Sequence, residues 1–110
     1  MYKRQDYIHV SDLISAHMDA LGYLKKNGNS IVLNCGYGHG NSVREVLTVV
    51  ETVSGKSLKL SDSPRRSGDA AILVADSSKL RTCFGWKPLY DDLHKIVEDA
   101  LLWEKRNLLE

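Results

Sequence analysis

The residues best suited to chemistry in this sequence are Pro64-Arg65-Arg66-Ser67-Gly68-Asp69. Two arginines on a proline-started loop offer planar, multi-donor guanidinium groups that match phosphate oxygens. Gly68 lets a backbone approach a ligand closely, and Asp69 can accept from sugar or ribose hydroxyls. Taken alone, the same run also reads as a solvated loop, because surface arginines are common. A second candidate is Gly36-Tyr37-Gly38-His39-Gly40, which lies between an apolar run and a capping box. With Asp62 beyond the next apolar stretch, it suggests a dinucleotide site, where turn amides hold a pyrophosphate. The third glycine of that fingerprint falls on Asn41, so the pattern is incomplete. The competing reading is a tight turn that needs positive φ.

Other chemistries are missing their residues. The four histidines do not cluster, and no His-Glu-x-x-His exists, so no metal site is expected. His17 reads as a core histidine on an inner helix face, and Trp86 and Trp103 read as packing residues. No serine sits in Gly-x-Ser-x-Gly. No tyrosine is followed four positions later by lysine, so the pair with which short-chain dehydrogenases move a proton is not encoded. Cys35 and Cys83 are too far apart for a metal knuckle or a redox pair, and are expected to be reduced thiols of a cytoplasmic protein. The net charge of +1 gives no electrostatic case for nucleic acid. Arg44, Glu45 and Glu51 interrupt the apolar stretches, so no membrane span is expected, and Met1 to Gln5 do not start a signal peptide.

The elements that must position these residues follow from periodicity. Asp6 to Val10 alternates and predicts a strand. Ser11 is the expected cap of a helix carrying Leu13, Ala16, His17, Ala20, Leu21 and Leu24, closed near Gly28. Ile31 to Cys35 predicts a second strand. Ser42-Val43-Arg44-Glu45 is a capping box opening a helix with Val43, Val46, Leu47, Val50 and Val53 on one face, stopped by Gly55. Leu58-Lys59-Leu60 predicts a third strand, Ser61 to Gly68 a loop, and Ala70 to Ala75 a short apolar run. Asp76 should cap a short helix. The last helix should start near Tyr90 and turn Leu93, Ile96, Val97, Ala100, Leu101 and Trp103 inward. At 110 residues this is one α/β domain with a thin core.

Several of these segments, in order and at matching spacing, resemble the UDP-glucose 4-epimerases of the extended short-chain dehydrogenase family. They are Asp6-Tyr7-Ile8-His9-Val10-Ser11-Asp12-Leu13, Asn34 to Val43, and Pro64 to Asp69. Ala75-Asp76 with Lys79, Phe84-Gly85-Trp86-Lys87-Pro88 and the closing helix complete the series, which covers Asp6 to Arg106. The resemblance implies a small C-terminal domain with short strands and three to four helices, without the Rossmann domain that binds NAD and carries the catalytic pair. It therefore implies no catalytic residue here and no NAD bound by this chain. The implied partners are a UDP-sugar, held weakly, and a missing or separately encoded Rossmann half. Self-association through the uncovered face is a further expectation. The whole enzyme would interconvert UDP-glucose and UDP-galactose through a C4-keto intermediate.

Roles carry over one residue at a time. Arg66 matches an arginine that clamps the diphosphate, and Asp69 an acid near the ribose. Ser67 replaces a frequent glutamate, and Gly68 is kept. Tyr7 matches a tyrosine lining the nucleotide site, and Leu73 falls where a side chain gates an N-acetyl group. Gln5 stands where the family has a second phosphate-binding arginine. Arg4 is one residue early, and one step along a strand flips a side chain to the other face. A lost charge-assisted bond weakens binding roughly ten- to a hundredfold. Met1 to Gln5 match nothing in the family, so a gene remnant or an engineered truncation is expected, and a continuous upstream reading frame would refute this. The other expectation is a free-standing module that docks onto a partner.

Overall fold

The computed structural model describes residues 3–61, 63, 64 and 66–109. Asp62 and Arg65, named above, lie outside them. The chain forms β1 (Arg4–Gln5), α1 (Val10–Lys25), β2 (Asn41–Ser42), α2 (Val43–Ser54), β3 (Ile72–Leu73), α3 (Ser78–Phe84) and α4 (Leu93–Leu109). The three strands form one mixed sheet in the order β2-β1-β3. Arg4 pairs with Ser42 and Gln5 with Asn41 in antiparallel register, while Arg4 pairs with Ile72 and Gln5 with Leu73 in parallel. The α/β class is as expected, and so is the alternation of strands and helices, but every strand lies elsewhere.

Asp6 to Val10 is not a strand. The helix begins at Val10, because the His9 carbonyl already accepts from Asp12 and Leu13. His9, not Ser11, is the cap: its ring Nδ1 accepts from the Ser11 amide at 3.0 Å. Ile31 to Cys35 is apolar and alternates between half-buried and exposed, yet among the described residues it joins no ladder. Leu58 to Leu60 forms no strand either. The lysine-rich end of α1 closes one residue before Gly28, with Asn27 in the left-handed region at φ 63°.

The capping signals serve well elsewhere. Ser42 Oγ accepts from the Glu45 amide at 3.0 Å, and Gly55 ends α2 at φ 71°. The reciprocal half of the capping box is replaced, because the Glu45 carboxylate meets Arg4 instead. Asp76 Oδ1 accepts from the Ser78 amide and hydroxyl, anchoring the start of α3. The last helix starts at Leu93 rather than Tyr90, with the Asp92 carboxylate taking the His94 and Lys95 amides.

The core gathers Ala16, Tyr37, Leu80 and Trp86, with Ile8, Leu33, Cys35, Phe84 and Ile96 packed around them. The α1 helix packs on α3, and α2 on α4. The inner face of α1 runs through Asp12 and Ala16, so His17 is exposed and only bonds back to the Leu13 carbonyl. The buried histidine is His9. Trp86 is sealed in, with its indole N–H donating to the Asp12 carbonyl and to Ser15 Oγ. Trp103 is not inward. It follows Ile96 and Ala100 along one side of α4 and lines an open cleft, 60% exposed.

Candidate functional site

Arg4–Gln5 is the central strand of the sheet and Lys3 directly precedes it, and side chains along an extended chain alternate between faces. Arg4 reaches one way, donating to the Gly40 carbonyl at 3.2 Å and to Glu45 Oε1 at 3.3 Å. Lys3 reaches the other way, and its Nζ lies 2.5 Å from Asp69 Oδ2. Arg66 Nε donates to that same oxygen at 3.0 Å. Hydrogen bonds from Lys3 and Arg66 hold the Asp69 carboxyl below the usual carboxylate range. The Asp69 amide closes the turn on the Arg66 carbonyl at 3.3 Å, with Gly68 at φ 83° and Ser67 exposed between them.

Gln5 and Leu73 are ladder neighbours across β1 and β3, and Leu73 is exposed. Tyr7 follows two residues beyond Gln5, half-buried, and burial pushes its hydroxyl up. The structure thus joins Arg66 to Asp69 and sets Gln5 beside Leu73. Lys3 was not singled out from the sequence, although its period-two relation to Gln5 puts both on one face.

The glycine-rich turn is committed to an anion of the chain's own. Asp6 Oδ1 accepts from the Tyr37 amide at 2.9 Å. Asp6 Oδ2 accepts from the amides of Gly38 at 3.0 Å and Ala75 at 3.2 Å. A Cβ at Gly36 would come within 2.5 Å of that carboxylate, and Gly38 sits at φ 88°. Asn41, at the third-glycine position, lies in β2 instead of opening a helix. These amides are spent on Asp6, so the residues present do not fit a dinucleotide pyrophosphate. Among the described residues, no group of three or more His, Cys, Asp or Glu is placed to hold a metal.

A buried polar knot supports this turn from behind. The Tyr37 hydroxyl donates to Asp12 Oδ2 at 2.5 Å and accepts from the His9 amide at 3.0 Å. Asp12 Oδ1 and Oδ2 also take the amides of Leu89 and Tyr90 at 2.9 and 3.0 Å. Burial, then the bond to Asp12, pushes the Tyr37 hydroxyl well above the usual tyrosine range. His9 Nε2 lies 2.7 Å from Asp99 Oδ2, which ties α1 to α4. Beside this pair a cleft of about 530 Å³ opens between Ile8, Val10, Ile96, Ala100 and Trp103.

No family model matches the chain. A UDP-glucose 4-epimerase of Azospirillum brasilense is 48% identical over 101 residues, which is 92% of this chain and 29% of that protein. The solved UDP-Glc/GlcNAc 4-epimerase of Campylobacter jejuni matches 94% of this chain with 31% of its own, at 49% identity and a TM-score of 0.83. The chain is a relative of the UDP-glucose 4-epimerases and matches their C-terminal part. A UDP-glucose 4-epimerase from Bifidobacterium longum, solved with NAD+ and UDP, matches 94% of the chain with 30% of its own, at 36% identity and a TM-score of 0.82. This epimerase relative therefore spans about three tenths of the length of the proteins it matches.

Proposed function

We propose that this chain is the UDP-sugar-binding part of a UDP-glucose 4-epimerase, and that by itself it holds the ligand weakly without epimerising it. The observation that carries the reading is the Arg66–Asp69 pair on a tight turn beside β1 and β3. Arg66 clamps the diphosphate, Asp69 faces the ribose, and the Ser67-Gly68 backbone lets the ligand come close. Tyr7 lines the nucleotide, Leu73 gates the hexose, and Gln5 is a hydrogen-bonding position without charge. The UDP held by the Bifidobacterium longum structure supports this ligand class. NAD belongs with the part of the relatives that this chain does not match. A cytoplasmic location goes with the same reading, and the free thiols of Cys35 and Cys83 suit it. No described helix is long and apolar enough to cross a membrane.

An amide NMR titration with UDP tests the reading. Shifts should concentrate at Tyr7 and at Arg66 to Asp69, and Arg66→Ala should weaken binding at least about tenfold. Shifts confined to Gly36–Gly40 would favour the dinucleotide turn instead. Unchanged affinity in Arg66→Ala would refute the clamp.

A second reading concerns the apolar surface. Val10, Ile14, Met18 and Leu21 recur at helical spacing along the outside of α1, all exposed. Val32 is 90% exposed in a stretch with strand periodicity and no described ladder. A face of this kind marks an interaction surface. The occupant we propose is the remainder of an epimerase, whether on the same chain or separately encoded. Without it, the chain should self-associate in sedimentation velocity as concentration rises, and Met18→Glu should return it towards monomer. A wild type that is monomeric at every accessible concentration would sink this reading.

A further inference from the structure

We propose that Lys3 is a phosphate-binding residue of this chain, forming with Arg66 a two-cation clamp whose resident counter-ion is Asp69. The inference rests on the UDP-sugar reading above. Lys3 and Arg66 reach one and the same oxygen, Asp69 Oδ2, at 2.5 and 3.0 Å. Two cations that share an oxygen are close enough to engage neighbouring phosphates of one nucleoside diphosphate. With one carboxylate between two cations, Lys3, Arg66 and Asp69 together keep a surplus positive charge. They suit an anion and not a neutral sugar.

The donors are not used up by Asp69. A lysine ammonium has three N–H groups, and an arginine that donates through Nε keeps its terminal NH2 groups. Arg66 is 81% exposed, so those groups face solvent. On the exposed Arg66 side an ion pair contributes little net stability, so exchanging its Asp69 contact for phosphate oxygens costs little. Charge-assisted bonds to phosphate are among the strong ones.

The direction of β1 decides which cation can serve. Arg4 is held by Glu45 and the Gly40 carbonyl on the α2 side. Gln5 shares the Lys3 face but brings no charge. Lys3, two residues upstream, supplies from the same strand face the charge that Gln5 lacks, and it does so by length: four methylenes carry its ammonium to Asp69.

The experiment is a UDP and uridine titration of the whole chain at low salt, followed by amide NMR. Lys3→Gln should weaken UDP about tenfold and leave uridine unchanged. Lys3→Arg should retain UDP binding, which separates charge from fold. Lys59→Gln removes the same charge from an exposed position elsewhere and should change little. In the wild type, reductively 13C-methylated Lys3 should shift with UDP and not with uridine. The clamp is overturned by wild-type affinity in Lys3→Gln, by an equal loss in Lys59→Gln, or by a silent Lys3 resonance. If Arg66→Ala weakens UDP while Lys3→Gln does not, Lys3 is excluded and the UDP-sugar reading stands. If the wild type ignores UDP altogether, both fall.

Discussion

Asp12→Ala is expected to bring the chain close to unfolding at neutral pH. The side chain is only 2% exposed, and its carboxylate takes the Leu89 and Tyr90 amides and the Tyr37 hydroxyl. It thereby joins the first turn of α1 to the glycine turn and to the approach to α4. Deletion leaves the part-buried Leu89 and Tyr90 amides without this acceptor, while Tyr37 keeps the His9 amide at 3.0 Å and the Tyr90 carbonyl at 3.2 Å. Each stranded donor costs roughly 1–3 kcal/mol, so the loss from the two should be about 2–6 kcal/mol. Domains typically have about 5–15 kcal/mol in all. Urea unfolding followed by tryptophan fluorescence measures the loss, and a change below about 1 kcal/mol would show the knot to be dispensable. The pH dependence has a definite sign. Burial alone would raise the Asp12 carboxyl, but the Leu89 and Tyr90 amides and the Tyr37 hydroxyl overcome it and leave it below the usual range. A depressed folded value means the stabilisation is complete above the ordinary value near about 4. It is lost as pH falls through the folded value. Asp99, lowered by His9 and Lys95, adds in the same direction. Acid unfolding should therefore set in below about pH 4, and Asp12→Asn should flatten that limb.

That Asp12 matters so much was only half legible. A carboxylate in a first helical turn reads as favourable to the helix dipole, which is a local effect. Its actual partners lie 25 residues downstream at Tyr37 and more than seventy downstream at Leu89 and Tyr90, and no periodicity announces them. The helices were legible because a 3.6-residue repeat and a capping serine or glycine are local signals, as at Ser42 and Gly55. The strands were not, because β1, β2 and β3 are two residues each and carry no period. Ile31 to Cys35 has the pattern of a strand but pairs with no described strand, so the pattern has nothing to express itself against. The glycine turn misled for a related reason. Its sequence shows that amides are presented, not that Asp6 collects them. The Arg66–Asp69 pair was legible from composition and from resemblance. Lys3 was not, because it lies where the resemblance stops, and its role depends on the loop that folds back onto β1.

Under the proposed function, these 110 residues mixed with NAD and UDP-glucose should form no UDP-galactose. Oxidation at C4 requires a base at the hydroxyl and an acceptor for the hydride. The sequence offers no Tyr-x-x-x-Lys pair. A positioned acid–base group is worth roughly 10²–10⁴ in rate. The glycine turn cannot take the acceptor's pyrophosphate while Asp6 occupies its amides. Losing the acceptor closes the path instead of slowing it, so the expected deficit is complete. The assay has a second arm. Adding the part of the Azospirillum brasilense relative that this chain does not match should restore turnover, if that part covers α1 and pairs with Ile31 to Cys35. Hydrogen exchange at Val32 and Leu33 would then slow on mixing, because their amides would enter a ladder. Turnover by the pure chain would overthrow the proposed division of labour. Slowed exchange without turnover would locate the defect at the ligand site, where Gln5 stands without a charge and Lys3 has to supply one.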